Sequence, residues 1–152
     1  MPVLEIHLIE DQQSDAQVES LLLAASQAYA DVLESPVERV RVYVTMHAAG
    51  HTAVGGKLVS QGGPSAPYFH FLVLEGRPIE QSQKLITVFT DLIEKHLGAE
   101  RKLIRGGCWP IPPHHWGIAG TPASAMRSAE IDARAQAAAA ASATPPVTNQ
   151  GA

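Results

Sequence analysis

One pattern runs through this chain twice, and that repetition restricts its fold more than any single residue does. An alternating run from Val3 to Ile9 reads as a strand. Ser14-Asp15-Ala16-Gln17 then has the form of a capping box, and Val18, Leu22, Ala25, Tyr29 and Val32 recur on one helical face. Pro36 ends that helix, Val40 to Val44 alternates as a second strand, and Gly50 to Gly56 is a glycine-bounded turn. The second copy opens at Pro67 with a strand over Tyr68 to Leu74. A helix follows over about Ile79 to Leu97, with Leu85, Phe89, Leu92 and His96 on one face and Gly98 as its stop. Lys102 to Arg105 reads as a short strand and His115 to Gly120 as the matching turn. Pairing Pro2 with Pro67, Glu10 with Glu75, Gln17 with Gln81, Arg41 with Arg105 and His51 with His115 needs a single one-residue gap. That gap falls in the first strand-to-helix loop, where a change of length costs little. Duplication of one unit accounts for the agreement.

Two βαβ units in series predict an α+β fold, β-α-β-β-α-β, with right-handed crossovers and a four-stranded core sheet carrying two helices on one face. The domain is expected over residues 2–124, with repeat units 2–60 and 67–124, and an Ala-rich, partly disordered tail over 125–152. Propensity alone predicts a helix from about Met126 to Ala141, with the final ten residues disordered. The strand from Val40 to Val44 is apolar on one side and bears Arg39 and Arg41 on the other. A large open sheet face calls for cover, so an oligomer is expected, a monomeric ferredoxin-like domain being the alternative.

Composition narrows the partners. A net charge of −4 and 5% aromatic residues offer neither a basic footprint nor a stacking platform for nucleic acid. No apolar run is long enough to cross a bilayer and no signal-like segment opens the chain, so a cytoplasmic protein is expected. Cys108 is the one cysteine, which rules out an intrachain disulfide and reads as an inert thiol between Gly107 and Trp109. His47-x-x-x-His51 sits in a glycine-bearing turn without clustered cysteine or carboxylate partners, so neither a metal nor a cofactor is expected.

Pro2 is the residue with chemical potential. Removal of Met1 would leave a secondary amine on a rigid ring, and such a nitrogen accepts a proton, whereas a backbone amide nitrogen has its lone pair tied up in resonance. Carried into a pocket by the first strand, Pro2 is a candidate general base.

These residues resemble the tautomerase superfamily, in particular its 4-oxalocrotonate tautomerase branch, as a long member of two fused units. In the first unit the resemblance rests on Pro2-x-x-x-Ile6-His7, Ser35-Pro36-x-x-x-Val40-Arg41-Val42 and Gly50-His51-x-x-Val54-Gly55-Gly56. In the second it rests on Leu74-Glu75-Gly76-Arg77, Arg105 and Pro112-Pro113-x-x-Trp116-Gly117-Ile118-x-Gly120. It covers about Pro2 to Ser124. The resemblance implies a homotrimer and a cofactor-independent isomerase that moves a proton in an enol or dienol carboxylic acid such as 2-hydroxymuconate or phenylenolpyruvate.

The same resemblance implies roles. Pro2 is the base; Arg77 binds a substrate carboxylate; Arg41 and Arg105 qualify for the second carboxylate or the enol oxygen; Trp116 lines the pocket. The first unit has Gln12 or Gln13 where Arg77 stands in the second, and Thr52 where Trp116 stands. Pro67 is internal and its nitrogen has no basicity, so one working site per chain is implied, with Arg39 left as an interface charge. Leu74 and Ile118 occupy positions where the dehalogenases of the superfamily carry an arginine and a glutamate, which disfavours a hydratase or dehalogenase activity. Decarboxylation of a 3-oxo acid at the same proline, or a non-catalytic trimeric binding protein, are the alternatives.

Overall fold

Each repeat builds the same hydrogen-bonded frame. In the first, β1 (Val3–Ile9) leads through α1 (Asp15–Leu33) to β2 (Arg41–His47) and a hairpin of β3 (Ala53–Val54) and β4 (Lys57–Leu58). In the second, β5 (Tyr68–Leu74), α2 (Ile79–Leu97) and β6 (Arg105–Ile111) precede the hairpin of β7 (Gly117–Ile118) and β8 (Thr121–Pro122). Two further helices, α3 (Ala123–Met126) and α4 (Ser128–Ala143), follow. The structure is a computed structural model and describes residues 2–143. The expectations of Met1 removal and of disorder beyond Ala143 lie outside the described residues.

The repeat is visible in the backbone bonds. The N–H of Arg41 donates to the carbonyl of Pro2 at 3.0 Å, and that of Arg105 to Pro67 at 3.1 Å. Glu10 donates to His47 as Glu75 does to Ile111, both at 3.0 Å, and His51 donates to Ala48 as His115 does to Pro112, both at 2.9 Å. The residue pairs matched by sequence are the pairs that occupy equivalent bonds.

Two compact units divide the chain, one running to Val73 and including Pro78–Pro110, the other comprising Leu74–Arg77 and the chain from Ile111 onward. The first holds the sheet, in the order β2-β1-β5-β6. β1 lies parallel to β2, with Val3 opposite Arg41, and antiparallel to β5, with Val3 opposite Leu72. Alternation sends Leu4, Ile6 and Leu8 of β1 and Phe69, Phe71 and Val73 of β5 to one face. There they are buried with Leu21, Ala25 and Tyr29 of α1 and Leu85, Phe89 and Ile93 of α2. Tyr29 meets the rings of Phe71 and Phe89 edge-on and donates its hydroxyl proton to the Leu72 carbonyl at 2.7 Å, which removes the penalty of burying an unpaired O–H.

The capping box at Ser14 and Gln17 forms as expected, and α2 spans the expected residues. The α1 face differs by one position: Leu21 and Leu33 are buried, while Leu22 and Val32 are half-buried at the rim. The strand expected over Lys102 to Arg105 is instead a 3-10 turn (Arg101–Leu103) followed by β6. Gly106 and Pro110 look like breakers, yet an edge strand tolerates proline, which lacks only a donor. Gly106 is required by packing, because a Cβ there would lie 2.1 Å from Cζ of Phe69. Arg39 likewise closes a 3-10 turn, Val37–Arg39, rather than sharing a strand face with Arg41.

The other sheet face carries no helix of the first unit. Tyr43, Trp109 and Tyr68 stand on it 53%, 45% and 38% exposed, the open aromatic surface from which an oligomer is expected. Among the described residues no helix is long and apolar enough to cross a membrane.

Gly106→Ala should lower the unfolding free energy by roughly 1–3 kcal/mol through overpacking against Phe69. Combining it with Phe69→Leu should cost less than the sum of the two single changes, measured by guanidinium unfolding. Additive losses would contradict the close approach.

Candidate active site

Pro2 is buried, one residue ahead of β1 and in step with the inward row Leu4, Ile6 and Leu8. Its carbonyl is held by the Arg41 N–H, and the strand it begins is paired on both sides. Pro2 is tied into the middle of the sheet. Pro67 is buried at the equivalent point of β5, but its nitrogen is a peptide nitrogen.

The structure brings Pro2 next to Arg41 and Pro67 next to Arg105, at opposite edges of the sheet. Both arginine side chains are exposed and fold back in the same way. Nη1 of Arg41 donates to the carbonyls of Glu38 and Val40, each at 2.8 Å. Nη1 of Arg105 donates to Lys102 at 2.7 Å and Ile104 at 2.8 Å. One nitrogen of each guanidinium thus fastens the turn before its strand, and the other nitrogens make no hydrogen bond among the described residues. A planar fork with free donors suits a carboxylate. Thr52, by contrast, spends its hydroxyl on the Ala48 carbonyl of its own turn at 3.3 Å. Gln12 is exposed and Gln13 half-buried.

The second unit holds the other two residues singled out by sequence. Arg77 is half-buried in the segment between β5 and α2, directly after Gly76, whose φ of 86° lets the chain turn there. Trp116 follows the 3-10 turn Pro113–His115 and lines an open cleft of about 190 Å³ with His114, His115, Gly117, Gly120 and Pro122. Its indole Nε1 is buried without an acceptor among the described residues. Leaving such a donor unpaired is unfavourable. Cys108 is half-buried, and its thiol donates to the Ser82 hydroxyl at 3.5 Å.

Sequence reasoning passed over a polar cluster on the helix-free sheet face. Glu5 and His7 project there from β1, and β5 places His70 directly opposite Glu5. His70 Nε2 lies 3.1 Å from Glu5 Oε2, while His7 Nδ1 lies 2.9 Å from His47 Nε2. Burial pushes the His7 pKa below its ordinary value, as do His47 and His70, with Glu5 opposing. The alternation Glu5-x-His7 is the signal that could have found the cluster; its other members lie on strands distant in sequence.

A family model described as tautomerase enzyme matches residues 2–62. The chain is 41% identical over 61 residues to a 2-hydroxymuconate tautomerase of Pseudomonas putida, covering 40% of this chain and 95% of that one. It is 35% identical over 69 residues to a probable tautomerase of Ralstonia nicotianae, covering 45% and 99%. Among solved structures it is similar to a native fused 4-OT, with a TM-score of 0.77 and 29% identity over 82% of this chain and 98% of that one. It is also similar to a fused 4-OT solved as a symmetric trimer, with a TM-score of 0.74 and 25% identity over the same shares.

Arg41→Gln and Arg105→Gln should each lower stability by about 1 kcal/mol, since each removes side-chain bonds to turn carbonyls. The two losses should agree within about 0.5 kcal/mol in urea unfolding. A loss at one position alone would show that the repeated geometry is not repeated in energy.

Proposed function

Because the chain belongs to the tautomerase family, as a fused two-unit enzyme of the 4-oxalocrotonate tautomerase type, we propose that it ketonises a small enol or dienol carboxylic acid, such as 2-hydroxymuconate or phenylenolpyruvate, with Pro2 as the proton carrier. Removal of Met1 frees the amine. The neutral nitrogen takes the proton of the substrate hydroxyl, the electron pair moves through the conjugated system, and the ammonium returns a proton to carbon. Each turnover leaves the amine as it began.

A base that also serves as an acid works best with a pKa near the operating pH. An exposed α-amine titrates at about 8, and both burial and guanidinium charge disfavour its protonated form. The observation that carries this reading is the buried, doubly paired start of β1, with Arg41 bonded to the Pro2 carbonyl. Arg77 and Arg105 are the proposed carboxylate-binding residues, offsetting the charge that develops on the dienolate; because Arg105 lies beside Pro67 within one chain, the Arg105 that serves Pro2 is proposed to come from a neighbouring chain of the trimer. Arg41 is the proposed guanidinium neighbour of the base, and Trp116 the apolar wall. No cofactor takes part in this scheme.

We infer a homotrimer over the exposed sheet face, with residues 2–124 as the catalytic domain, 125–152 as an appended tail, and a cytoplasmic location. A small carboxylate is the partner, rather than nucleic acid or membrane.

Ultraviolet monitoring of 2-hydroxymuconate and phenylenolpyruvate ketonisation tests the reading. Pro2→Ala should lower kcat/KM by roughly 10²–10⁴-fold. Arg77→Ala and Arg105→Ala should each lower it by roughly 10²–10³-fold. Equal rates for wild type and Pro2→Ala would refute proline catalysis, and turnover confined to 3-oxo acids would reassign the enzyme to decarboxylation.

A further inference from the structure

We propose that the helix-free face of the sheet binds one divalent transition-metal ion of the zinc, cobalt or nickel type, held by Glu5, His7 and His70. The inference does not depend on the proline chemistry. Alternation along β1 puts Glu5 and His7 on the same face two residues apart, and the antiparallel register sets His70 opposite Glu5 and diagonal to His7. One ligand atom from each residue lies within 4.8 Å of the other two. Metal–nitrogen bonds near 2.0–2.1 Å require ligand atoms about 3.4 Å apart in a tetrahedral site. His70 Nε2 and Glu5 Oε2, at 3.1 Å, stand slightly inside that separation. Their side chains are 26% and 39% exposed, so rotation about their side-chain bonds can bring the third atom in.

The hydrogen bonding points the same way. His7 Nε2 is a buried atom without a partner among the described residues, although Nδ1 of the same ring is bonded to His47, whereas His70 turns its Nε2 to Glu5 and its Nδ1 has no outer partner among the described residues. With a proton on His7 Nδ1 donated to His47, His7 Nε2 presents a bare lone pair. A ligating imidazole is ordinarily oriented in this manner, its second nitrogen donating to an outer partner. His47 is then a positioning residue. The rings are also framed: His7 stacks on His70 at 5.7 Å between centroids, Tyr68 lies 5.4 Å from His7, and Trp109 meets His70 edge-on at 5.1 Å. Two imidazoles and one carboxylate suit a borderline divalent ion and leave a coordination position for water or an anion.

Titration of the metal-free full chain with cobalt(II), followed by visible absorption and calorimetry, decides the matter. One ion per chain should bind with the d–d bands of a four- or five-coordinate site. Glu5→Gln, His7→Gln and His70→Gln should each weaken binding by more than about tenfold, and His47→Gln by about tenfold. His114→Gln and His115→Gln, whose rings meet at 4.1 Å outside this cluster, should change nothing. Circular dichroism verifies the fold of each variant, and any two of the three ligand variants suffice. Absence of saturable binding, binding that survives both His7→Gln and His70→Gln, or loss of binding in the His114 and His115 variants would overturn the assignment.

Discussion

The pairing of the first strand on both of its edges is the constraint on which everything else rests. β1 accepts β2 on one side and β5 on the other, so the residue just ahead of it has no freedom to fray. The Arg41 N–H to Pro2 carbonyl bond completes the ladder at its very end. Inward alternation from Leu8 back to Leu4 buries Pro2 as well. Pro2 is thereby one of the fixed points of the domain, and the proposed proline chemistry rests on that position.

Duplication supplied the frame and covalent linkage then made the copies unequal. Pro67 occupies the same buried position, with the same bond to an arginine N–H, yet its nitrogen is an amide and cannot carry a proton. In the proposed reading the differences between the units follow a division of labour. Arg77 and Trp116 belong to the second repeat, while Gln12, Gln13 and Thr52 stand in the first, and Thr52 is turned in on its own loop. The exposed guanidinium groups of Arg41 and Arg105 serve two ends in this account. One nitrogen holds a turn, and the rest of the fork is available to a carboxylate.

The elements with strong local signals were legible in the chain. The Ser14 box, Gly98 and the alternation of Val3 to Ile9 and Tyr68 to Leu74 are local matters, and all four appear where local physics puts them. β6 was not legible, because its glycines and proline are explained only by neighbours: Gly106 by the Phe69 ring, Pro110 by an edge position. The buried stripe of α1 was read one residue off, since Leu21, Leu22 and Leu23 are equally apolar and only packing chooses among them. Pro2, Arg41, Arg77, Arg105 and Trp116 were identifiable as chemical groups, and the repeat explained why two arginines behave alike. The Glu5, His7, His47 and His70 cluster escaped because strand register, not spacing along the chain, assembles it.

The central claim is that Pro2 presents an uncharged amine at neutral pH. Proline labelled with nitrogen-15 gives one amine resonance distinct from every internal proline, and its shift can be followed against pH. The account predicts an intact mass lacking Met1 and a titration midpoint well below the value of about 8 for an exposed terminal amine. A retained methionine, or a midpoint at or above that value, would contradict it.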